Sequence, residues 1–289
     1  MKERSPKQAL SKSPPVPVPG PEEIQLLKST SKTTLVIPDI HNNFAQAEAW
    51  IRYFDTRFPE RVSQVVFLGD YFDDFGDTPE IALGVAEWLK HSIQQPNRVH
   101  LIGNHDLAYL APAAFTRCSG FETRKLEVIT PILDGMPRTA FRAALEVDGW
   151  LLSHAGFHPT HVAGRSTAEL VELADSALRQ LWDGDQPALF AAGYARGGSA
   201  PVGGITWLDW TKEFRPTIGL HQIVGHTPAD TFRIAWVDDP AGGVTRRTYD
   251  LNVASGEVFG RGELLSLNLC VDTRFKSVAL LENATAVLW

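Results

Sequence analysis

Three short, mainly apolar runs, Thr34 to Ile37, Val65 to Leu68 and Val99 to Ile102, are spaced through the first third of the chain with amphipathic segments between them. Such a run, rich in β-branched residues and lacking polar alternation, reads as a strand buried on both faces, the mark of a parallel sheet. Between the first two, Phe44, Ala47, Ile51, Phe54 and Phe58 recur at three- and four-residue steps. Residues 43 to 58 are therefore expected to form a helix ending before Pro59. Between the second and third, Ile81, Val85, Trp88 or Leu89, and Ile93 mark another helix, with Thr78 as its cap and Pro79 at its first position. The order strand, helix, strand, helix, strand predicts a right-handed parallel unit whose strand ends converge on one edge.

Each strand is followed at once by a polar string: Asp39-Ile40-His41, then Gly69-Asp70-Tyr71-Phe72-Asp73, then Gly103-Asn104-His105-Asp106. Ligands of open α/β sheets bind outside the carboxyl ends of the strands, where these strings fall. Further on, Trp150 to Ser153 reads as a strand delivering His154, and Gln222 to Val224 as one delivering Gly225-His226-Thr227-Pro228. A helix from about Thr167 to Leu181 separates them, and Phe232 to Trp289 alternates as short antiparallel strands, with Leu267 to Val271 and Val278 to Leu281 the clearest.

Taken singly, each polar residue has an ordinary reading: Asp39 and Asp70 as helix caps, Asn104 as a turn residue, His154 and His226 as core histidines. Five strand-end strings in this order point instead to a centre of two divalent ions. A pair of ions roughly 3.5 to 4 Å apart can clamp an in-line phosphoryl displacement, and needs one anionic residue that touches both. Asp70 is the candidate bridge. Asp39 and His41, two residues apart, can meet one ion because Ile40 turns the other way, and Asn104, His154 and His226 complete the second. The mixed carboxylate, imidazole and amide set suits manganese, iron, zinc or nickel.

Composition bounds the alternatives. The chain has 289 residues, 44% hydrophobic and 21% charged, enough apolar material for one large α/β domain. A net charge of -7 and a pI near 5.7 argue against a nucleic-acid or anionic-membrane footprint. Cys118 and Cys270 are the only cysteines, which excludes a disulfide framework and suits a reducing compartment. Residues 1 to 33 carry prolines at 6, 14, 15, 17, 19 and 21 among lysines and serines, and read as a disordered tail. They lack the apolar core of a secretory signal, so a cytoplasmic protein without a membrane span is expected.

The five strings, Asp39-Ile40-His41, Gly69-Asp70 with Asp73, Gly103-Asn104-His105-Asp106, His154 and Gly225-His226, resemble the motifs of the calcineurin-like metallophosphoesterases. That superfamily includes phosphoprotein phosphatases and diadenosine polyphosphate hydrolases. The resemblance spans about residues 34 to 228, and Val271-Asp272-Thr273 is similar to the family's C-terminal segment. It implies an αββα sandwich of two mixed β-sheets flanked by helices over residues 34 to 289, with specificity insertions at about 107 to 149 and 157 to 221. It also implies His105 as general acid for the leaving oxygen, held by the Asp73 carboxylate, which fixes the tautomer and raises the imidazole pKa. The expected reaction is attack of metal-bound hydroxide on phosphorus without a covalent intermediate.

The chain departs from the phosphoprotein phosphatases after Asp73, where they carry an arginine and this chain has Asp74. Arg196, flanked by Gly197 and Gly198, is the substitute candidate for binding substrate phosphate, with Arg274 and Arg215 behind it. Trp182, Trp207 and Trp210 read as core packing, with a wall of the substrate pocket as the other reading. A phosphomonoesterase acting on a phosphorylated small molecule or protein is the first expectation. A nucleotide pyrophosphohydrolase or phosphodiesterase is the second, and a non-catalytic scaffold on the same fold the third.

Overall fold

Alternate residues of the first strand face two different cores, Leu35 and Ile37 one way and Val36 the other. The same division holds in the second strand, where Val65 and Phe67 oppose Val66 and Leu68. A sheet buried on both faces must be covered on both, and this requirement sets the layers of the fold.

The computed structural model describes residues 32–111, 118–241, 243–249, 257–274, 276, 278–282 and 284–288. The tail expected for residues 1 to 33 lies outside them except for Lys32 and Thr33, and Thr33 already belongs to the first strand. The expected alternation is present as β1 (Thr33–Ile37), α1 (Phe44–Arg57), β2 (Val62–Phe67), α2 (Pro79–Ser92) and β3 (Arg98–Leu101). Thr78 caps α2 as the sequence predicts, its side chain accepting the Ile81 N–H with Pro79 in the first turn. Then come α3 (Asn104–Leu110), α4 (Thr123–Leu133), β4 (Phe141–Arg142), β5 (Ala144–Val147), β6 (Trp150–Ser153), α5 (Pro159–Val162) and α6 (Thr167–Trp182). The remainder is β7 (Gln222–Val224), β8 (Phe232–Val237), β9 (Val244–Tyr249), β10 (Glu257–Gly260), β11 (Ser266–Cys270), β12 (Ala279–Glu282) and β13 (Thr285–Leu288).

Among the described residues these strands form a seven-stranded sheet, β10-β13-β12-β1-β2-β3-β4, and a six-stranded sheet, β5-β6-β7-β11-β8-β9. Both are mixed: β1, β2, β3 and β4 run parallel, while β12 and β13 close the same sheet antiparallel. One detail differs from the sequence reading of an antiparallel C-terminal region. β11 pairs antiparallel with β8 but parallel with β7, because it inserts between them as an inner strand of the second sheet.

The two sheets pack face to face through Val36, Val66 and Leu101 on one side and Trp150, Ile223 and Leu269 on the other. Helices α1, α2 and α4 cover the outer face of the first sheet through residues such as Phe54, Leu89 and Ile129. Helix α6 covers the second through Leu170, Ala174 and Leu178. The result is the expected αββα sandwich. Each fully buried Leu or Phe in these layers contributes about 1.5 to 3 kcal/mol, so the apolar pattern alone gives the sandwich a strong drive. No helix among the described residues is long and apolar enough to cross a membrane.

Candidate dinuclear metal centre

The five polar strings meet where strands of both sheets end. β1, β2 and β3 deliver residues 39–41, 69–73 and 103–106 from the first sheet, and β6 and β7 deliver His154 and His226 from the second. The chain turns sharply to achieve this: His41, Asn42, Asp70, Asp73 and His226 all have positive φ, between 39° and 67°. Left-handed backbone at a non-glycine residue costs on the order of 1 kcal/mol, so its concentration here marks a site that surrounding packing holds in place. Glycines make the close approach possible. A Cβ on Gly103 would stand 2.1 Å from Asp70 Oδ1, and one on Gly225 would stand 2.0 Å from Asp39 Oδ1.

Asp70 is at the middle, 2% exposed. Its Oδ1 accepts the His105 backbone N–H at 2.9 Å, while Oδ2 lies 3.3 Å from His154 Nε2 and 3.7 Å from His41 Nε2. Both histidines have their tautomer fixed from behind. His41 Nδ1 donates to the Asp73 carbonyl at 2.6 Å and His154 Nδ1 to the Leu68 carbonyl at 3.0 Å, so each turns its Nε2 inward. Asn104 donates its amide N–H to Cys118 Sγ, which leaves Oδ1 facing His154 Nε2 at 3.1 Å. His226 Nδ1 lies 3.1 Å from the same nitrogen, and His226 Nε2 is buried without a hydrogen-bond partner among the described residues.

Carboxylate, amide and imidazole groups thus converge on one point, a set that draws positive charge, whether as protons on the imidazoles or as cations in their place. The electrostatics agree. Burial alone would lower the His154 pKa, but the Asp70 and Asp39 carboxylates push it up to about 10, so the cluster draws positive charge. His226 is held well below the usual histidine range by burial and by His154. Burial and the neighbouring Asp272 carboxylate raise Asp39. The residues present fit divalent cations.

Two triads have ligand atoms close enough for one ion each, His41 with Asp70 and His105, and Asp70 with His154 and His226. Asp70 is common to both. Asp39 is in neither; its carboxylate accepts the His226 backbone N–H at 2.9 and 3.1 Å. Asp272, to which the sequence reading gave no role, is 2% exposed, lines the same cleft and has an Oδ2 with no hydrogen-bond partner among the described residues.

His105 Nδ1 lies 3.0 Å from Asp73 Oδ2, leaving Nε2 as the free ring nitrogen in a cleft of about 910 Å³. Arg196 lines this cleft, with Nη2 donating to Thr227 Oγ1 at 3.0 Å and Nε 3.0 Å from Asp209 Oδ2. Asp74 is exposed at the rim, its Oδ1 accepting the Phe75 N–H at 2.7 Å. Trp207 also lines the cleft, whereas Trp210 stacks on Phe214 in the core at 4.3 Å between ring centres and Trp182 packs beneath Arg138. Arg274 reaches the cleft and Arg215 does not, nor do His91, His100, His158, His161 and His221.

Three supporting residues escaped the sequence reading of roles. Asp106 was visible in the Gly-Asn-His-Asp string and Asp272 in Val271-Asp272-Thr273, each as an unassigned acid beside assigned ones. Lys125, which reaches Asp73 from α4, has no local signal at all.

No curated protein matches the chain in sequence. Among solved structures, a metallophosphoesterase from Sphaerobacter thermophilus is similar at 16% identity, with a TM-score of 0.44 over 90% of this chain and 87% of that one. A protein serine/threonine phosphatase from Saccharomyces cerevisiae with similarity to human phosphatase PP5 is similar at 14% identity, with a TM-score of 0.41 over 90% and 80%. The family model of the calcineurin-like phosphoesterases matches residues 32–230, a span that holds all five strand-end strings and most of the chain. The chain therefore belongs to the calcineurin-like phosphoesterase family, metal-dependent hydrolases of phosphoester bonds.

Proposed function

We propose that the protein is a phosphomonoesterase in which Asp39, His41, Asp70, Asn104, His154 and His226 hold two divalent ions and His105 protonates the leaving oxygen. Bound ions of this kind supply Lewis-acid chemistry, lowering the pKa of water and neutralising phosphate charge. The observation that carries the reading is the His105–Asp73 pair: Nδ1 is engaged by the carboxylate at 3.0 Å, and the backbone N–H of the same histidine holds Asp70 Oδ1 at 2.9 Å. The proton donor and the central carboxylate are thereby fixed to one another. Nε2 of His105 gives its proton to the ester oxygen as the bond to phosphorus breaks, and Asp73 stabilises the imidazolium and then the tautomer that returns. Arg196, anchored by Thr227 beside His226, offers its guanidinium to the phosphate oxygens. Asp74 at the rim offers no such contact, which sets this site apart from the phosphatases that carry arginine there.

Elemental analysis followed by a panel of aryl phosphomonoester, diester and dinucleotide substrates tests the reading. The expected result is two ions per chain and fastest turnover of the monoester. For His105→Ala, turnover should fall by about 10²-fold or more while both ions are retained. Loss of an ion in that variant would make His105 a ligand with His41 and Asp70. Faster cleavage of the dinucleotide would favour a pyrophosphohydrolase, in which Arg274 of the same cleft takes a second phosphate. No hydrolysis of any substrate with both ions bound would favour a scaffold.

A further inference from the structure

Asp73 is 1% exposed and its two carboxylate oxygens are used differently. Among the described residues Oδ2 faces His105 alone. Oδ1 accepts both the Tyr109 hydroxyl at 2.5 Å and the Lys125 ammonium at 3.0 Å. The ammonium, on a side chain with no exposure, also reaches Asp77 Oδ1 at 2.5 Å and the Gly120 carbonyl at 2.6 Å. Its three protons therefore have three acceptors. Burial opposes a charge here, yet the hydrogen bonds to Asp77 and Asp73 hold the ammonium above the usual lysine range. Asp77 is tied in turn by Asn42 Nδ2 at 2.8 Å, next to His41.

We infer that Lys125 is the positioning residue of the proposed acid: by occupying Oδ1 of Asp73 it commits Oδ2 to His105 and fixes the direction of the imidazole. This rests on the reading of His105 as general acid. Lys125 cannot touch substrate, since its ammonium is enclosed, and it does not replace the arginine missing after Asp73 as a phosphate clamp. Its action is geometric. Without it, Asp73 and Asp77 are neighbouring buried carboxylates whose repulsion turns Asp73, and the imidazole follows. Helix α4, in the segment that the sequence reading set aside as a specificity insertion, then supplies part of the proton-donating apparatus.

Dependence on the leaving group separates this role from simple support of the fold. An ester whose leaving oxygen is strongly basic needs the acid, and 2,4-dinitrophenyl phosphate scarcely does. In Lys125→Met, kcat on an alkyl phosphate should fall about 10- to 100-fold, as for a misplaced catalytic group, with 2,4-dinitrophenyl phosphate turnover falling less than about threefold. His105→Ala should show the same pattern more strongly, and the double variant should be no worse than His105→Ala alone. If His105→Ala lacks the pattern, the acid reading fails. If His105→Ala shows it and Lys125→Met loses turnover equally on both esters, or the double variant's losses multiply, only the role of Lys125 is overturned. Should Lys125→Met fail to fold, Lys125→Met with Asp77→Asn removes one buried carboxylate together with the ammonium and takes the same measurement.

Discussion

Asp106 stands behind Asp70 and holds it by the backbone: Asp106 Oδ2 accepts the Asp70 N–H at 2.8 Å, while the Asp70 carboxylate faces the histidines. The same oxygen accepts the Gly103 N–H at 2.8 Å, and Oδ1 accepts the Tyr71 N–H at 2.7 Å. One carboxylate, with no exposure, thus joins the loop after β2 to the start of α3.

Asp106→Ala leaves three buried N–H groups without an acceptor, each costing about 1 to 3 kcal/mol. A loss of about 3 kcal/mol or more is expected in urea unfolding, and Asp106→Asn should cost less because its amide oxygen keeps part of the set. A loss below about 1 kcal/mol in the alanine variant would show that the two loops hold together without Asp106.

Asp70 Oδ2 lies between His41 and His154, the relation expected of a group shared by two ions. In Asp70→Asn the second ligand oxygen is replaced by an N–H donor, so metal analysis should find fewer than two ions per chain. Titration of the stripped protein with manganese should show affinity weakened about tenfold or more. Two ions bound with unchanged affinity would remove Asp70 as the bridge.

Arg196 and Asp74 bring opposite charges to the lining of the cleft. Competitive inhibition by inorganic phosphate reads this directly. Arg196→Ala should weaken it about tenfold or more, and Arg196→Lys should not restore it, because an ammonium cannot reproduce a two-pronged guanidinium. Asp74→Arg should tighten it, with the gain shrinking at high salt as screening grows. Tightening that is indifferent to salt would mean the substitution acts through the loop's shape.

Three histidines remote from the cleft oppose protonation in the fold. His100, 1% exposed between Ser92 and Tyr71, is pushed by burial down to about 3, and burial takes His161 and His221 down to about 4. Unfolded histidines titrate near 6.5, so below that pH the unfolded chain takes up protons that the native one refuses. The stability these three contribute should be full above pH 7 and fall as the pH drops from 6.5 through 4. The His100 contribution alone is at most about 1.4 kcal/mol per pH unit. Unfolding in urea at several pH values checks this, with His100→Gln expected to flatten the slope between pH 6 and 4; an unchanged slope would show that His100 is not neutral in the fold.

Much of the first sheet was legible because its signals are local. The three-and-four spacing from Phe44 to Phe58 needs only neighbouring residues to make α1, and the apolar run from Val65 to Leu68 needs only its own side chains to mark β2. The order of the polar strand-end strings was legible for the same reason, since each directly follows its strand. The parallel pairing of β11 with β7 was not, because both neighbours of an inner strand come from far along the chain.

The sequence by itself therefore determined the α/β layers, the strand-end strings and the absence of an arginine after Asp73. Only the tertiary structure decided that His154 and His226 come from the second sheet to meet Asp70 from the first, that Asp39 turns to the His226 backbone, and that Lys125 lies beneath Asp73. The physical reason is range. Apolar periodicity is written in adjacent residues, whereas a buried carboxylate takes whichever donor the packing of distant elements brings within 3 Å.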